Sequence, residues 1–518
     1  TDSTANAAFL YRKRKTRFNY VQNQGFLVET EIHERIKIYN SEGYDWASKS
    51  IPFYSRSNSQ SERVQIKDAK TYTLDNGKIV ATKLSKKDVF EEERNENWSL
   101  KKFTMPNLSD GCVVEIVYII TSPYTSLDEV VVQQEIPTKK FEASIYTPEY
   151  YKYSVKQKGY YPFKIVNEWR MDKITQNVRS GERTANQNTQ FSSASTEYKT
   201  DIVRIDETNI PALKTEPFVN NMNNYRSALS FELSRVEWPN QPIKSYSTTW
   251  ESVAKNIYQS DNFGGQLNKT SHLKEDIALL EAENTSLFEK VASSLTFVKS
   301  KIKWNGNYGE YPEQGIKKAY KEGSGNVGDI NLTLVVVLRE LGLDANPVLI
   351  STRSNGVPLF PTAKGINYVA VSVKTNTGHI LLDASEKYSL PNVLPLRAMN
   401  WNGIVVERGG KSSFVSLTGS KASQEVANLS YSIEEDGFVK GINRVKYDNL
   451  RAMNYRNSKG NLKEEDLISR VETGADDIEI VNFKVSNKEN LSKAIIEMYS
   501  FEKEDGAEVI GDKLYVNP

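Results

Sequence analysis

The sequence predicts a multidomain α+β protein: β-rich lobes at the N-terminal end, a mixed helix-and-strand core in the middle, and a β-rich C-terminal domain. Three observations predict it. A chain of 518 residues corresponds to about three to four domains. Alternating apolar and polar residues with turn signals dominate both ends. Helical spacing is concentrated between about Trp250 and Leu341. The expected boundaries are 1–140 and 141–240 for two lobes that together make one N-terminal region, built as antiparallel sandwich-like sheets, then 241–403 for the core and 404–518 for the last domain.

In the first lobe, Leu27 to Ile38 alternates for most of its length, as a half-buried strand does. Thr71 to Val80 carries Asn76-Gly77, a strong hairpin signal. Met105 to Gly111 reads as a turn entering Val113 to Ile120, which is apolar on both faces like a central strand. The second lobe opens with the rings Tyr146, Tyr150, Tyr151, Tyr153, Tyr160, Tyr161 and Phe163. Such rings pack as cross-strand pairs or, when exposed and coplanar, stack on sugars. Tyr225 to Trp238 returns as a long strand before the linker Pro239-Asn240-Gln241-Pro242.

Helices follow the linker. Trp250 to Tyr258 reads as a short one. Ser286 and Glu289 form a capping-box pattern, and Leu287, Val291, Leu295, Val298 and Ile302 continue at helical spacing to a predicted end at Trp304. Asp329 is placed to cap a helix over Ile330 to Leu341, with Gly342 at its C′ position. Strands are predicted at Asn346 to Ser351, Tyr368 to Val373 and Ile380 to Asp383, and Leu394 to Gly403 closes the core. Beyond Ile404 the chain turns β-rich again, with an Asp436-Gly437 hairpin and a short helix over about Glu464 to Val471. Leu514 to Pro518 reads as a strand exit, so the last domain is expected to be incomplete.

Bulk properties exclude several functions. Lys plus Arg is 67 and Asp plus Glu is 66, a net charge of +1, which gives no electrostatic case for nucleic acid or an anionic membrane. The run Arg12-Lys13-Arg14-Lys15 reads as a solvated terminus or as an arm that touches a partner. No apolar run of about 18 residues is present to span a membrane. The single cysteine, Cys112, excludes an intramolecular disulfide and reads as a core residue. His33, His272 and His379 have no cysteine, histidine or aspartate at ligand spacing, so no metal or other cofactor is expected. The loose polar start Thr1 to Asn6 fits a removed signal peptide or a cut fragment.

The segment Gly323-Ser324-Gly325-Asn326-Val327-Gly328-Asp329, running into an apolar helix and Gly342-Leu343-Asp344-Ala345-Asn346-Pro347-Val348, carries a family resemblance. It is similar to the nucleophile region of the transglutaminase-like superfamily, where a Gly-Asp-Cys-x-Asp turn opens a helix. Asn367-Tyr368-Val369-Ala370-Val371 resembles that family's Asn-His-x-x-Val strand, and Ile380 to Ser385 resembles the strand of the third catalytic partner. The resemblance implies a papain-like α+β core. It also implies that Val327 stands at the cysteine, Tyr368 at the histidine, and that Asp383 is kept. Residues 1 to about 240 resemble a domain of unknown function that precedes such cores in exported bacterial proteins.

The family chemistry needs a thiolate to attack an amide carbonyl, an imidazole to move the proton and a carboxylate to orient it. Valine has no nucleophilic atom, and a tyrosine with a pKa near ~10 is a poor base at neutral pH. The expectation is therefore an inactive core: a pseudoenzyme acting as a binding or scaffold protein in the periplasm or at the outer membrane. A protein or glycan partner would be held in a cleft formed by Trp304, Ser324, Asn326, Val327, Tyr368 and Asp383. In a filled site, Asp383 would survive as an acceptor for the Tyr368 hydroxyl. Two rivals stay open. One is a cysteine-independent amidase, protease or transamidase using Ser324 or Ser385. The other is carbohydrate binding by the Tyr-rich segment.

Overall fold

The computed structural model describes residues 4–55, 60–95, 97–180, 190–246, 249–362, 365–419, 422–475, 478–511 and 513–516. The chain divides into two compact units, Thr1–Tyr246 and Ser247–Pro518. Lys244–Ser245 pairs with Arg235 and Val236, which carries the first unit past the expected boundary at 240.

The first unit is built on one eight-stranded sheet. Its order is Val166–Ser180, Gln190–Ile210, Thr138–Pro148, Ala7–Val21, Gly25–Ile38, Val113–Ser122, Arg63–Asp75 and Lys78–Lys83. The sheet crosses the expected boundary at 140/141, because Ala7–Val21 pairs with Thr138–Pro148. That pair is parallel, so the sheet is not purely antiparallel as expected. A parallel pair needs a long crossover and leaves no local turn signal. The Asn76-Gly77 hairpin is present, with φ of 48° and 78° at its two turn residues.

Two smaller sheets share cores with the large one. Ser48–Tyr54, Trp98–Thr104 and Phe90–Asn95 form the first, and Ile51, Phe53 and Phe103 pack with Phe9, Ile36, Val114 and Ile116. Cys112 lies in this core and is 1% exposed. In the second, Leu229 and Phe231 from Ala228–Val236 pack with Phe18, Phe26 and Phe141. Most rings of the Tyr-rich segment belong here: Tyr150 and Tyr151 are buried, and Tyr150 stacks on Trp238 at 4.5 Å. Tyr160 is exposed and stacks on Tyr225 at 5.9 Å.

In the second unit, helices Trp250–Gln259, Lys274–Glu283, Leu287–Lys301 and Ile316–Glu322 precede the central helix Val327–Glu340. The Ser286/Glu289 capping box is formed, but that helix ends at Lys301, and Lys303–Trp304 is a short strand. The central helix is buried on nearly every side, which outweighs the low helix propensity of Val335, Val336 and Val337. It starts three residues earlier than expected. Asn326 is the N-cap, and Asp329 is the reciprocal N3 partner rather than the cap. Gly342 sits at C′ with φ 81°.

This helix packs on a five-stranded sheet ordered Gly378–Leu382, Tyr368–Thr375, Ala345–Ile350, Asn402–Val406 and Ser412–Ser416. The last two strands carry the core past the expected boundary at 403: Asn402–Val406 crosses it and pairs directly with Val348 and Leu349, and Ser412–Ser416 lies beyond it. A second sheet follows, ordered Glu425–Ile433, Val439–Tyr447, Ile495–Lys503 and Glu479–Ser486, with helices Asn449–Lys459 and Glu464–Gly474. Leu514 to Val516 belong to a terminal hairpin, and Asn517 and Pro518 lie outside the described residues.

Candidate functional site

The start of the central helix is held by reciprocal bonds. Asp329 N–H donates to Asn326 Oδ1 at 2.8 Å, and Asn326 N–H donates to Asp329 Oδ2 at 3.2 Å. The Asn326 amide also donates to Tyr311 O at 2.9 Å. Burial pushes the Asp329 carboxyl up, opposed by the backbone N–H groups of Asn326 and Glu313. Gly328 lets the loop lie on the helix, since an added Cβ would come within 2.5 Å of Tyr311 backbone atoms.

Val327 is the first residue of the helix and is 0% exposed. Its backbone N–H is occupied by Asn307 O at 3.3 Å. Tyr368 opens its strand, also 0% exposed, and Asp383 follows the end of the neighbouring strand. The Tyr368 hydroxyl donates to Asp383 Oδ2 at 2.5 Å and lies 2.9 Å from Ser385 Oγ. Asp383 Oδ1 accepts from Ser385 Oγ at 2.6 Å and from Asn331 Nδ2 at 3.0 Å. Burial, then the Asp383 charge, raises the Tyr368 pKa well above the ordinary tyrosine value.

Four residues that sequence reasoning missed complete the cluster. Arg397 donates from Nε to the Tyr368 hydroxyl at 3.1 Å, from Nη2 to Ser385 Oγ at 3.2 Å and from Nη1 to Glu386 Oε2 at 3.0 Å. Burial works to lower its pKa, and the negative potential of Tyr368 and Asp383 outweighs that and raises it. Asn331, one helical turn beyond Val327, bonds Val369 O, Asp383 Oδ1 and Ala384 N. Its signal was present as a lone amide in an otherwise apolar stretch. Lys299 donates to Ser389 O at 2.7 Å, and burial pushes its pKa down to about 8. Asn457, from the helix Asn449–Lys459, donates to Glu386 Oε1 at 3.0 Å.

Trp304 and Tyr308 stack at 5.7 Å. The Arg397 guanidinium lies 4.5 Å from the Trp304 ring, and the Tyr308 ring meets Tyr368 edge-on at 5.6 Å. Ser324 lies in the two-residue strand Ser324–Gly325 beside Lys303–Trp304, and its carbonyl accepts from Gln314 Nε2 at 2.6 Å. Thus Trp304, Tyr368 and Asp383 share one cluster with Arg397. Ser324, Asn326 and Val327 sit at the helix start beside it. The histidines are engaged elsewhere: His33 with Glu115, His272 against Tyr320 and His379 with Ser372.

The model of a domain of unknown function with solved structure (DUF3857) matches residues 26–179, within the first unit. No curated protein sequence matches the chain. A crystal structure described as a putative protease from Parabacteroides distasonis ATCC 8503 is similar in fold at 11% identity. That similarity covers 96% of this chain and 93% of that one, with a TM-score of 0.53.

Proposed function

We propose that the chain is a transglutaminase-like pseudoenzyme acting as a binding or scaffold protein at the bacterial cell envelope. One observation carries this: the Tyr368 hydroxyl is bound to Asp383, both side chains 0% exposed, where acyl transfer would need a free imidazole. A tyrosine whose pKa is raised further by burial is a still poorer base. Val327 brings no nucleophilic atom to the helix start, where a helix N-terminus would otherwise favour a thiolate. The DUF3857 match supports the transglutaminase-like assignment, since such domains are associated with transglutaminase-like proteins.

The runner-up is an enzyme with unconventional residues. The neighbour described as a putative protease and the 2.6 Å bond from Ser385 Oγ to Asp383 favour it. Burial opposes it: Ser385 is 5% exposed, Asp383 is 0%, and Arg397 and Tyr368 occupy the remaining faces of the hydroxyl.

The test is a photo-crosslinking side chain at position 308, which is 40% exposed and packs beside Tyr368, in the full chain in its native cell. The expected outcome is an adduct with a discrete envelope component. Adducts confined to cytoplasmic proteins, or none at all, would overturn the binding role.

A further inference from the structure

The four-stranded sheet of the second unit ends on one side in Glu425–Ile433. This strand pairs with Val439–Tyr447 without a break in register, and among the described residues no strand pairs with its other side. Every residue from Glu425 to Ser432 is exposed, with Val426, Leu429 and Tyr431 at 43%, 46% and 41%. A bare edge is a template for another strand, and proteins blunt such edges with charge, proline, a bulge or a covering element. The opposite edge of the same sheet carries these devices. Glu479–Ser486 holds Glu479 and Lys484 and breaks register between Ile480 and Asn482. It is also tied to the helix Glu464–Gly474, where Ile480 N–H donates to Glu472 Oε1 at 3.1 Å. Glu425–Ile433 has no bulge and no proline, and its single charge is its first residue, paired with Arg451 at 3.6 Å.

The strand is complementary to itself when turned end for end. An antiparallel pairing with a second copy, centred on Leu429, overlaps all nine residues. Leu429 then meets its own counterpart, Ala427 meets Tyr431, Asn428 meets Ser430 and Val426 meets Ser432. A small side chain faces a large ring, an amide faces a hydroxyl, and Glu425 faces Ile433, so no like charges stand directly opposite each other. Glu434, the next residue, is already paired with Lys440 at 2.6 Å. The same patch serves both copies, so the pairing closes as a two-fold dimer and does not run on into a fibre.

We propose that Glu425–Ile433 is a self-association edge: a second copy of this chain adds its own Glu425–Ile433 strand antiparallel to it and joins two four-stranded sheets into one of eight strands. The backbone ladder supplies the attraction, and the matched side chains fix the register. This goes beyond the cleft-binding role and uses none of the residues around Tyr368.

The experiment follows the mass of the full chain by sedimentation equilibrium over a wide concentration range. The wild type is expected to pass from monomer to dimer as concentration rises. Leu429→Lys sets two ammonium groups opposite each other and should weaken the dimer about tenfold or more. Leu429→Glu should do the same with two carboxylates. An equimolar mixture of the two variants should restore the dimer, because each lysine then faces a glutamate. Position 429 is exposed, so neither substitution should move the thermal transition. A wild type that stays monomeric throughout would overturn the proposal. Dimers of either variant alone as strong as those of the wild type, or a mixture no stronger than its components, would overturn it too. None of these results bears on crosslinking at position 308, so the dimer edge and the envelope-binding role fail separately.

Discussion

The Tyr368 hydroxyl and Asp383 Oδ2 lie 2.5 Å apart, with Arg397 Nε 3.1 Å from the same hydroxyl. The tyrosine thus bridges a carboxyl group and a guanidinium inside the unit. Tyr368→Phe removes that bridge and leaves both partners short of a hydrogen bond in a buried setting. The expected loss is about 1–3 kcal/mol, read as a lower urea midpoint with an unchanged slope. No change in midpoint would mean that the bridge contributes nothing.

Asn331 ties the central helix to two strands through Val369 O, Asp383 Oδ1 and Ala384 N. Asn331→Leu keeps most of the volume and takes this partner from Val369 O and Ala384 N–H, while Asp383 Oδ1 keeps its bond from Ser385 Oγ. It should cost about 3 kcal/mol or more, since each buried unsatisfied group costs about 1–3 kcal/mol. Thermal unfolding checks this, and a neutral result would show that water replaces the amide.

The N-cap is a separate, smaller term. Asn326→Ala removes the bonds to Asp329 N–H and Tyr311 O. The expected loss is about 1–2 kcal/mol, and Asn326→Asp should recover the cap bond without the bond to Tyr311. Equal stability of all three proteins would contradict the capping role.

Burial pushes the Glu310 carboxyl up to about 7, and Tyr311 is the titratable group whose own pKa the Glu310 charge raises. The sign follows from the folded state holding the proton more tightly than the unfolded one. This contribution is fully present below the unfolded value of 4.5 and is lost as pH rises through about 7. Glu310→Gln should flatten stability across that window. Equal slopes for the variant and the wild type would show that Glu310 is solvated.

What was legible in the sequence was local. The Ser286/Glu289 capping box and the Asn76-Gly77 turn are decided within four residues, and both are formed. The three strands around Tyr368 and Ile380 were legible from short apolar runs, and so was the helix from Val327, apart from its first three residues. Contacts between distant residues were hidden. The parallel pairing of Ala7–Val21 with Thr138–Pro148 unites what read as two lobes. Arg397 reaches Tyr368 across 29 positions, and a single arginine in a three-residue helical turn, Leu396–Ala398, carries no spacing to mark it. The helix Asn449–Lys459 was missed because its polar face outweighs its few core residues, Ala452, Met453 and Tyr455.

The most direct measurement compares the wild type with Val327→Cys/Tyr368→His in a mixed casein-cleavage and amine-incorporation assay. The wild type should give no turnover above buffer, and the double variant should gain a slight amount if the frame can still align a thiol and an imidazole with Asp383. Turnover by the wild type that disappears with Ser385→Ala would contradict the pseudoenzyme and place the nucleophile at Ser385.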